Sequence, residues 1–319
     1  MEKKRKFIID CDTGTDDVIA VIAAFGCDSI EVQGITSVNG NVPERYTSAN
    51  NRNLVHYLGR DVPVCHGAVR PLLGGTVNAI SSIHGPQGLG STVLSEAKVP
   101  FHPLIASEFI FETAKRCGGD LELLVTGPMT NIAVSLIEYP QLRSLIRRIY
   151  FMGGSTIGGN MNTTAEFNIW ADPEAAHTVF CSGIPLTMVG LNVSNQAEMR
   201  SEEEEILREF GTREGTLAAD MIAYMQNRSL SYTRYARMHD PLALAAAVFP
   251  ECMKYESYFG DTECRGVYTR GHTAIDILNR NEGAEKNITA AVELDVERFR
   301  HWLIEAIRQS GRHETGEAE

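Results

Sequence analysis

Four aspartates crowd one short turn near the start of the chain. Asp10, Asp12, Asp16 and Asp17 lie within eight residues, directly after an apolar run that ends at Ile9. Like charges this close repel one another, and leaving buried carboxylates unpaired is costly. A divalent cation offsets that repulsion, because hard cations take oxygen ligands of this kind. Helix capping by Asp16 and Asp17 is the alternative, but it leaves the other two unexplained, so the turn predicts a metal site.

Further polar side chains follow apolar segments later in the chain. Asn41 lies in an Asn-Gly turn, and Asn160, Glu166 and Asn168 follow a glycine-rich stretch. This set suits a pocket for hydroxyl groups, although an ordinary surface loop accounts for the spacing equally well. Thr126 ends another apolar segment, where its backbone carbonyl can face a metal ion.

Two histidines have the side chain best suited to titrate near neutral pH. His84 lies in a stretch with three glycines and a proline, which predicts a mobile loop, where a lone histidine is more often a solvated surface residue. His239 precedes Asp240 and Pro241. That pair predicts a helix that Asp240 caps and that has proline in its first turn.

An alternation of strands and helices is predicted to position these residues. Because strands that alternate with helices pair in parallel, ligands are expected outside their carboxyl ends. We therefore predict an α/β fold, with an open, mostly parallel sheet flanked by helices, in a single domain over residues 1–319. Small antiparallel strands are expected within residues 251–295, before a terminal helix at 296–307. The main strands are predicted at 7–9, 31–38, 120–125, 148–152 and 185–189, and the helices at 18–25, 44–58, 104–117, 130–137 and 173–181.

The composition narrows the class of protein. Hydrophobic residues make up 43% of the chain and charged residues 22%, which allows a sizeable core. A net charge of −12 argues against a nucleic-acid or anionic membrane partner. Seven scattered cysteines with no C-x-x-C pair favour reduced thiols, and neither a signal peptide nor a membrane span is visible. We therefore predict a cytoplasmic protein.

The combination of motifs resembles a known family. The D-x-D-x-G-x-D-D turn, the His84-Gly85 loop, Glu166-Phe167-Asn168 and His239-Asp240-Pro241 are similar to the inosine–uridine-preferring nucleoside hydrolases, which are calcium-dependent. The similarity runs from Asp10 to at least Pro241. It implies a Rossmann-like nucleoside hydrolase fold, a small-molecule nucleoside substrate and a homodimer or homotetramer.

The resemblance assigns roles to the acidic residues. It implies that the carboxylates of Asp12, Asp17 and Asp240 and the backbone carbonyl of Thr126 bind Ca²⁺, within an oxygen shell of about 6–8 ligands. Asp10 is then expected to orient these ligands from behind.

The resemblance also predicts the substrate contacts. It implies that Asp16 accepts a hydrogen bond from the ribose 2′-hydroxyl. Asn41 and Asn168 are expected to fix the sugar, and Asn160 and Glu166 to hold its 5′-hydroxyl end near Met152. Contacts to the base are expected from three residues near His239, namely Gln226, Tyr232 and Tyr235.

A mechanism follows as a hypothesis. A Ca²⁺-bound water, deprotonated by Asp12, attacks C1′ while the N-glycosidic bond breaks. His239 is the candidate acid for the departing base, with a helix-cap residue as the alternative, and His84 contacts the base. Purine-specific relatives stack the base between tryptophans, but Trp170 and Trp302 are not placed for this. Uridine, cytidine and inosine are therefore the predicted substrates.

Two other functions account for part of this pattern. A phosphatase of the haloacid dehalogenase type also opens with an Asp-x-Asp pair, but it needs a hydroxyl residue where Gly14 stands. A nucleoside-binding protein without catalysis is the second alternative, although every expected catalytic position is filled.

Overall fold

A computed structural model describes residues 3–75, 81–228 and 235–315. Within these ranges the strands and helices alternate from the start of the chain to about residue 190, as the sequence predicts. The strands are β1 (Arg5–Cys11), β2 (Ile30–Ser37), β3 (Val64–Cys65), β4 (Leu121–Val125), β5 (Ile146–Met152), β6 (Leu186–Val189), β7 (Glu198–Met199), β8 (Ala236–Arg237), β9 (Met253–Tyr258), β10 (Gly260–Thr262), β11 (Thr273–Ile275) and β12 (Ile288–Leu294). The helices are α1 (Thr15–Phe25), α2 (Glu44–Tyr57), α3 (Ser81–His84), α4 (Ala106–Cys117), α5 (Thr130–Glu138), α6 (Phe167–Ala171), α7 (Pro173–Phe180), α8 (Leu191–Ser194), α9 (Ser201–Glu209), α10 (Arg213–Arg228), α11 (His239–Val248) and α12 (Val296–Thr315).

The central sheet has eight strands in the order β3-β2-β1-β4-β5-β6-β12-β9. Strand β1 pairs in parallel with β2 on one side and with β4 on the other, so that Asp10 lies between Thr36 and Val125. The chain thus moves outward from β1 to β3 and then returns to the opposite side of β1. In open α/β sheets this reversal of strand order opens a crevice at the carboxyl ends of the strands. The mostly parallel sheet flanked by helices is confirmed.

The strands near the end of the chain extend the main sheet. Strand β12 pairs in parallel with β6, and β9 pairs antiparallel with β12 at the sheet edge. Strands β10 and β11 form a separate antiparallel hairpin. The predicted antiparallel strands are therefore present, but two of the four complete the central sheet. Alternating apolar residues suit either arrangement, because they specify one buried face and not the partner strand.

Helix α1 holds the acidic turn in place. Residues Val18–Ala24 are all buried, and the helix packs against α10, α11 and α12. A helix that is apolar on every side belongs inside a protein, because each of its faces gains from removal from water. The buried Phe7–Ile9 segment of β1 fixes the other side of the turn. The four aspartates thus lie at the junction of two buried elements, β1 and α1.

Helix α11 begins at His239, two residues earlier than predicted. Met238 occupies the cap position, and Asp240 lies in the first turn. The prediction that Asp240 caps this helix is wrong. Its carboxylate instead lies against other aspartates, as described below.

No helix in the described ranges combines the length and the apolar character needed to cross a membrane.

Candidate active site

Three carboxylates meet at the carboxyl ends of β1 and β4. One oxygen from each of Asp16, Asp17 and Asp240 lies within 4.8 Å of the other two. The backbone N–H of Gly14 donates to Asp17 Oδ2 at 2.7 Å, and Thr126 Oγ1 donates to Asp17 Oδ1 at 2.7 Å. All three carboxylates are buried. Residues more than 200 positions apart in the sequence thus form one acidic cluster.

Asp12 lies beside this cluster, and only one of its two carboxylate oxygens has a hydrogen-bond partner among the described residues. Its Oδ2 accepts a hydrogen bond from the backbone N–H of Asn41 at 2.6 Å. Its Oδ1 is buried and has no hydrogen-bond partner among the described residues. The carboxylate fits because residue 40 is glycine: a Cβ there would fall 2.0 Å from Asp12 Oδ2. One oxygen of Asp12 is therefore anchored and the other is available.

Asp10 supports the turn from behind. Its Oδ1 accepts hydrogen bonds from Thr36 Oγ1 at 2.5 Å and from Asn131 Nδ2 at 2.7 Å. Burial raises the pKa of Asp10 to about 7. This placement fits the predicted supporting position.

The electrostatics of the acidic residues favour a bound cation. Burial, and then the neighbouring charge of Asp17, raises the pKa of Asp12 well above its usual range and that of Asp16 to about 7. Burial, and then Asp16, raises the pKa of Asp240 well above its usual range. So many buried carboxylates stay ionised together only if positive charge compensates them. The oxygen donors and the partnerless Asp12 Oδ1 match the ligands that hard divalent cations prefer.

A cavity of about 600 Å³ opens in front of these carboxylates. Most of the predicted substrate contacts line it, together with the cluster residues Asp16 and Asp240 and the predicted ligand Thr126. The predicted contacts among its lining residues are Asn41, His84, Met152, Asn160, Glu166, Asn168, Tyr235 and His239.

Asn168 and Glu166 form one wall of the cavity. Asn168 Nδ2 donates to the backbone carbonyls of Thr126 at 2.7 Å and Met152 at 3.0 Å. The Glu166 carboxylate caps α6, since it accepts hydrogen bonds from the backbone N–H groups of Asn168 and Ile169. Burial raises the pKa of Glu166 to about 7. These bonds fix the wall in front of the acidic cluster.

His84 is part of the site and not of an exposed loop. It ends the short helix α3, and only 8% of its surface is exposed. Its Nδ1 accepts hydrogen bonds from the backbone N–H of Thr15 at 3.1 Å and from the Thr15 hydroxyl at 3.0 Å, and lies 3.9 Å from Asp16 Oδ1. The more common interpretation, a solvated histidine, is therefore wrong. With Nδ1 as an acceptor, the neutral ring carries its proton on Nε2.

His239 lies at the same end of the cavity. Its Nδ1 is 2.8 Å from Ser194 Oγ in α8. Burial, and then the charges of Arg237 and Arg228, lowers the pKa of His239 to about 4. Burial and the charge of Arg228 likewise lower the pKa of His84 to about 3.

Two arginines that the sequence interpretation missed complete this end. Arg228 and Arg237 both line the cavity. Gln226, which the sequence suggested as a base contact, does not: it is buried and lies 3.4 Å from Ser201 Oγ. The other predicted base contact, Tyr232, lies outside the described residues. Met225 also lines the cavity, since it lies three residues before Arg228 and therefore on the same helix face.

Comparison with known proteins identifies the family. The sequence profile of the inosine-uridine preferring nucleoside hydrolases matches residues 7–301. The chain belongs to this family. It is therefore an enzyme that acts on the N-glycosidic bond of ribonucleosides, and the phosphatase and binding-protein alternatives no longer apply.

Individual nucleoside hydrolases agree with this assignment. A pyrimidine-specific ribonucleoside hydrolase RihA from Citrobacter koseri is 34% identical over 305 residues, covering 94% of this chain and 97% of the relative. A purine-preferring ribonucleoside hydrolase from Gardnerella vaginalis superposes with a TM-score of 0.91 at 33% identity, covering 97% of this chain and all of that one. The plant nucleoside hydrolase PpNRh1 gives a TM-score of 0.90 at 26% identity, covering 96% and 99%.

Proposed function

We propose that this nucleoside hydrolase cleaves uridine, cytidine and inosine to ribose and free base, with Ca²⁺ bound at the acidic turn. The observation that carries the proposal is the cavity of about 600 Å³, whose lining combines buried carboxylates with histidines and arginines. Small-molecule pockets commonly enclose about 300–1,000 Å³, which accommodates a nucleoside. Carboxylates and guanidinium groups in one cavity suit a reaction that separates charge between a sugar and its base.

The residues present fit a calcium ion. Asp12, Asp17 and Asp240 would hold it by carboxylate oxygens, and Thr126 by its backbone carbonyl. Carboxylate and carbonyl oxygens are what Ca²⁺ prefers, and Asp12 Oδ1 is a buried oxygen without a partner among the described residues. When bound, Ca²⁺ supplies Lewis acidity that lowers the pKa of a water and fixes its position.

The sugar is proposed to lie against the buried carboxylates. Asp16 accepts a hydrogen bond from the ribose 2′-hydroxyl, and Asn41 and Asn168 hold the ring. Asn160 and Glu166 bind the 5′-hydroxyl end of the sugar. Support comes from their positions, since all five line the cavity.

Asp12 is proposed to act as the general base. The hydrogen bond from the Asn41 backbone N–H holds the carboxylate in place, and the carboxylate accepts a proton from water. The water oxygen forms a bond to C1′, the C1′–N bond breaks, and its electron pair leaves with the base. Positive charge on the sugar ring is stabilised by Asp16, and a positioned base contributes about 10²–10⁴-fold. Asp12→Ala is expected to lose nearly all turnover with nucleosides, and near-normal turnover would contradict this role.

The departing base carries negative charge and is proposed to be stabilised by His239, Arg228 and Arg237. His239 is a neutral imidazole near pH 7, because its pKa is lowered to about 4, so it acts on the base by donating its ring N–H. The two guanidinium groups carry permanent charge. His84 contacts the base through Nε2–H. No tryptophan is among the lining residues in the described part of the chain. This favours uridine, cytidine and inosine over substrates that need stacking between indoles.

One experiment tests the proposal as a whole. Ribose release is measured for a panel of ribonucleosides, before and after treatment with a calcium chelator and after Ca²⁺ is added back. We expect release from uridine, cytidine and inosine, loss on chelation and recovery with Ca²⁺. Release that chelation does not change would contradict the metal site, and turnover of guanosine alone would contradict the substrate range.

A homodimer or homotetramer and a cytoplasmic location stay predictions. Light scattering of the purified protein tests the first, and fractionation of the source cells tests the second.

A further inference from the structure

A second set of metal-binding side chains lies on the surface outside the catalytic cavity. His177 is on α7, Cys181 follows the last residue of that helix, and Asp261 is on β10. The backbone N–H of Cys181 donates to the carbonyl of His177 at 3.0 Å, so the helical turn continues through Cys181. The spacing of four residues places both side chains on one face of the helix.

The distances within this set are close to those of a metal site. His177 Nδ1 lies 2.7 Å from Asp261 Oδ1 and 3.8 Å from Cys181 Sγ. One ligand atom from each residue lies within 4.8 Å of the other two. Bonds of about 2.0 Å to nitrogen or oxygen and about 2.3 Å to sulfur, at tetrahedral angles, separate such atoms by about 3.3–3.6 Å. The separations of His177 from Asp261 and from Cys181 differ from these values by about 0.3–0.6 Å.

Independent contacts hold β10 against α7. Asn287 Nδ2 donates to the backbone carbonyls of Phe180 at 3.0 Å and Gly260 at 2.9 Å, which joins the helix end to the hairpin. The Arg270 guanidinium donates to both carboxylate oxygens of Glu174 at 2.5 and 2.8 Å, which joins the hairpin connection to the start of α7. Ligands on two elements fixed in this way lose little freedom when they bind an ion.

We propose that His177, Cys181 and Asp261 bind a zinc-type transition-metal ion, with the fourth position open to water. One thiolate, one imidazole and one carboxylate form a donor set that favours Zn²⁺ or Co²⁺ over Ca²⁺. His177 and Cys181 are exposed, so the ion reaches them from solvent. None of the three residues lines the catalytic cavity. The bound ion links the β10–β11 hairpin to α7.

The test uses Co²⁺ as a spectroscopic probe on the full chain saturated with Ca²⁺. A thiolate ligand gives Co²⁺ an intense charge-transfer band that carboxylates do not give, so binding at the catalytic aspartates stays silent. We expect one Co²⁺ per chain with this band, and displacement by Zn²⁺. Cys181→Ser should abolish the band, and Asp261→Ala should weaken Zn²⁺ affinity at least 10–100-fold.

The matched control is Cys264→Ser. Cys264 Sγ lies 3.5 Å from the backbone carbonyls of Pro173 and Thr262, close to the site but outside the set. This variant should keep the band and the affinity. A band that persists in Cys181→Ser, no band in the parent protein, or unchanged affinity in Asp261→Ala would overturn the proposal. Circular dichroism shows whether each variant folds. Because the readout is metal binding, the result does not depend on nucleoside hydrolysis.

Discussion

Replacing Arg228 with methionine tests how the departing base is stabilised. Methionine keeps an unbranched apolar stem but removes the guanidinium charge. The charge of Arg228 lowers the pKa values of His84 and His239, and it is attracted to Asp16. Arg228 is therefore near Asp16, which is proposed to bind the sugar, and near the two histidines, which are proposed to contact the base. Its loss should matter most when the base leaves as an anion.

The size of the effect follows from Coulomb's law. Two unit charges about 4 Å apart interact by about 4 kcal/mol at an effective dielectric constant of about 20. Because Arg228 is half-buried and partly screened by solvent, about 2–3 kcal/mol is a better expectation. Since about 1.4 kcal/mol is a factor of ten in rate, kcat/KM for uridine should fall by about 30–150-fold.

The assay compares two leaving groups. Uracil needs stabilisation as it departs, whereas p-nitrophenolate is stable without help. The Arg228→Met variant should therefore lose less than about threefold in kcat/KM with p-nitrophenyl riboside. Arg208→Met, in the exposed part of α9, is the control for loss of one positive charge and should leave both substrates unchanged. Equal losses on the two substrates, or no loss with uridine, would refute the reasoning.

The remaining predictions concern the acid, the base and the metal. His239→Ala should lose uridine and inosine hydrolysis but keep p-nitrophenyl riboside hydrolysis, and steady-state kinetics with both substrates would show a uniform loss if His239 only positions α11. Gly40→Ala should lower kcat by at least about 100-fold while the protein stays folded, because its Cβ would fall 2.0 Å from Asp12 Oδ2; normal kcat with unchanged circular dichroism would contradict this. Ca²⁺ at about 100 times its Kd should stabilise the folded chelator-treated protein by about 2.7 kcal/mol. Divided by the usual unfolding entropy of a chain this long, this raises the melting temperature by about 4 °C. Asp240→Asn should melt about 1–3 °C above the ion-free parent, because it removes a repelling charge. Its melting temperature should no longer rise when Ca²⁺ is added. A rise like that of the parent would exclude Asp240 as a ligand.

The sequence predicts the scaffold well because apolar periodicity reports which faces are buried. It does not report which side of a helix faces a particular cavity. Gln226 and Arg228 are two residues apart on α10, and therefore about 200° apart around its axis. Gln226 faces the protein interior and Arg228 faces the cavity. A choice between them needs the packing partners of the helix, which come from distant parts of the chain.

The positions of His84 and Asp240 also depend on tertiary contacts that the local sequence does not report. Glycines around His84 indicate a flexible connection, but they also let the chain approach the acidic turn closely: a Cβ on Gly88 would fall 2.8 Å from the backbone carbonyl oxygen of Thr13. The Asp-Pro pair at Asp240 suits a capped helix, yet the carboxylate lies within the acidic cluster. Local propensity was outweighed by tertiary contacts in both cases.

The acidic cluster also constrains the order in which the protein can mature. Asp16 and Asp17 are made early, whereas Asp240 is added about 220 residues later, at the start of α11. Contacts this distant in sequence form late in folding, because the intervening chain must first be ordered. A growing chain on the ribosome therefore holds only part of the cluster. The completed cluster marks a chain in which α1 and α11 have docked, so an ion bound there would stabilise that docked state.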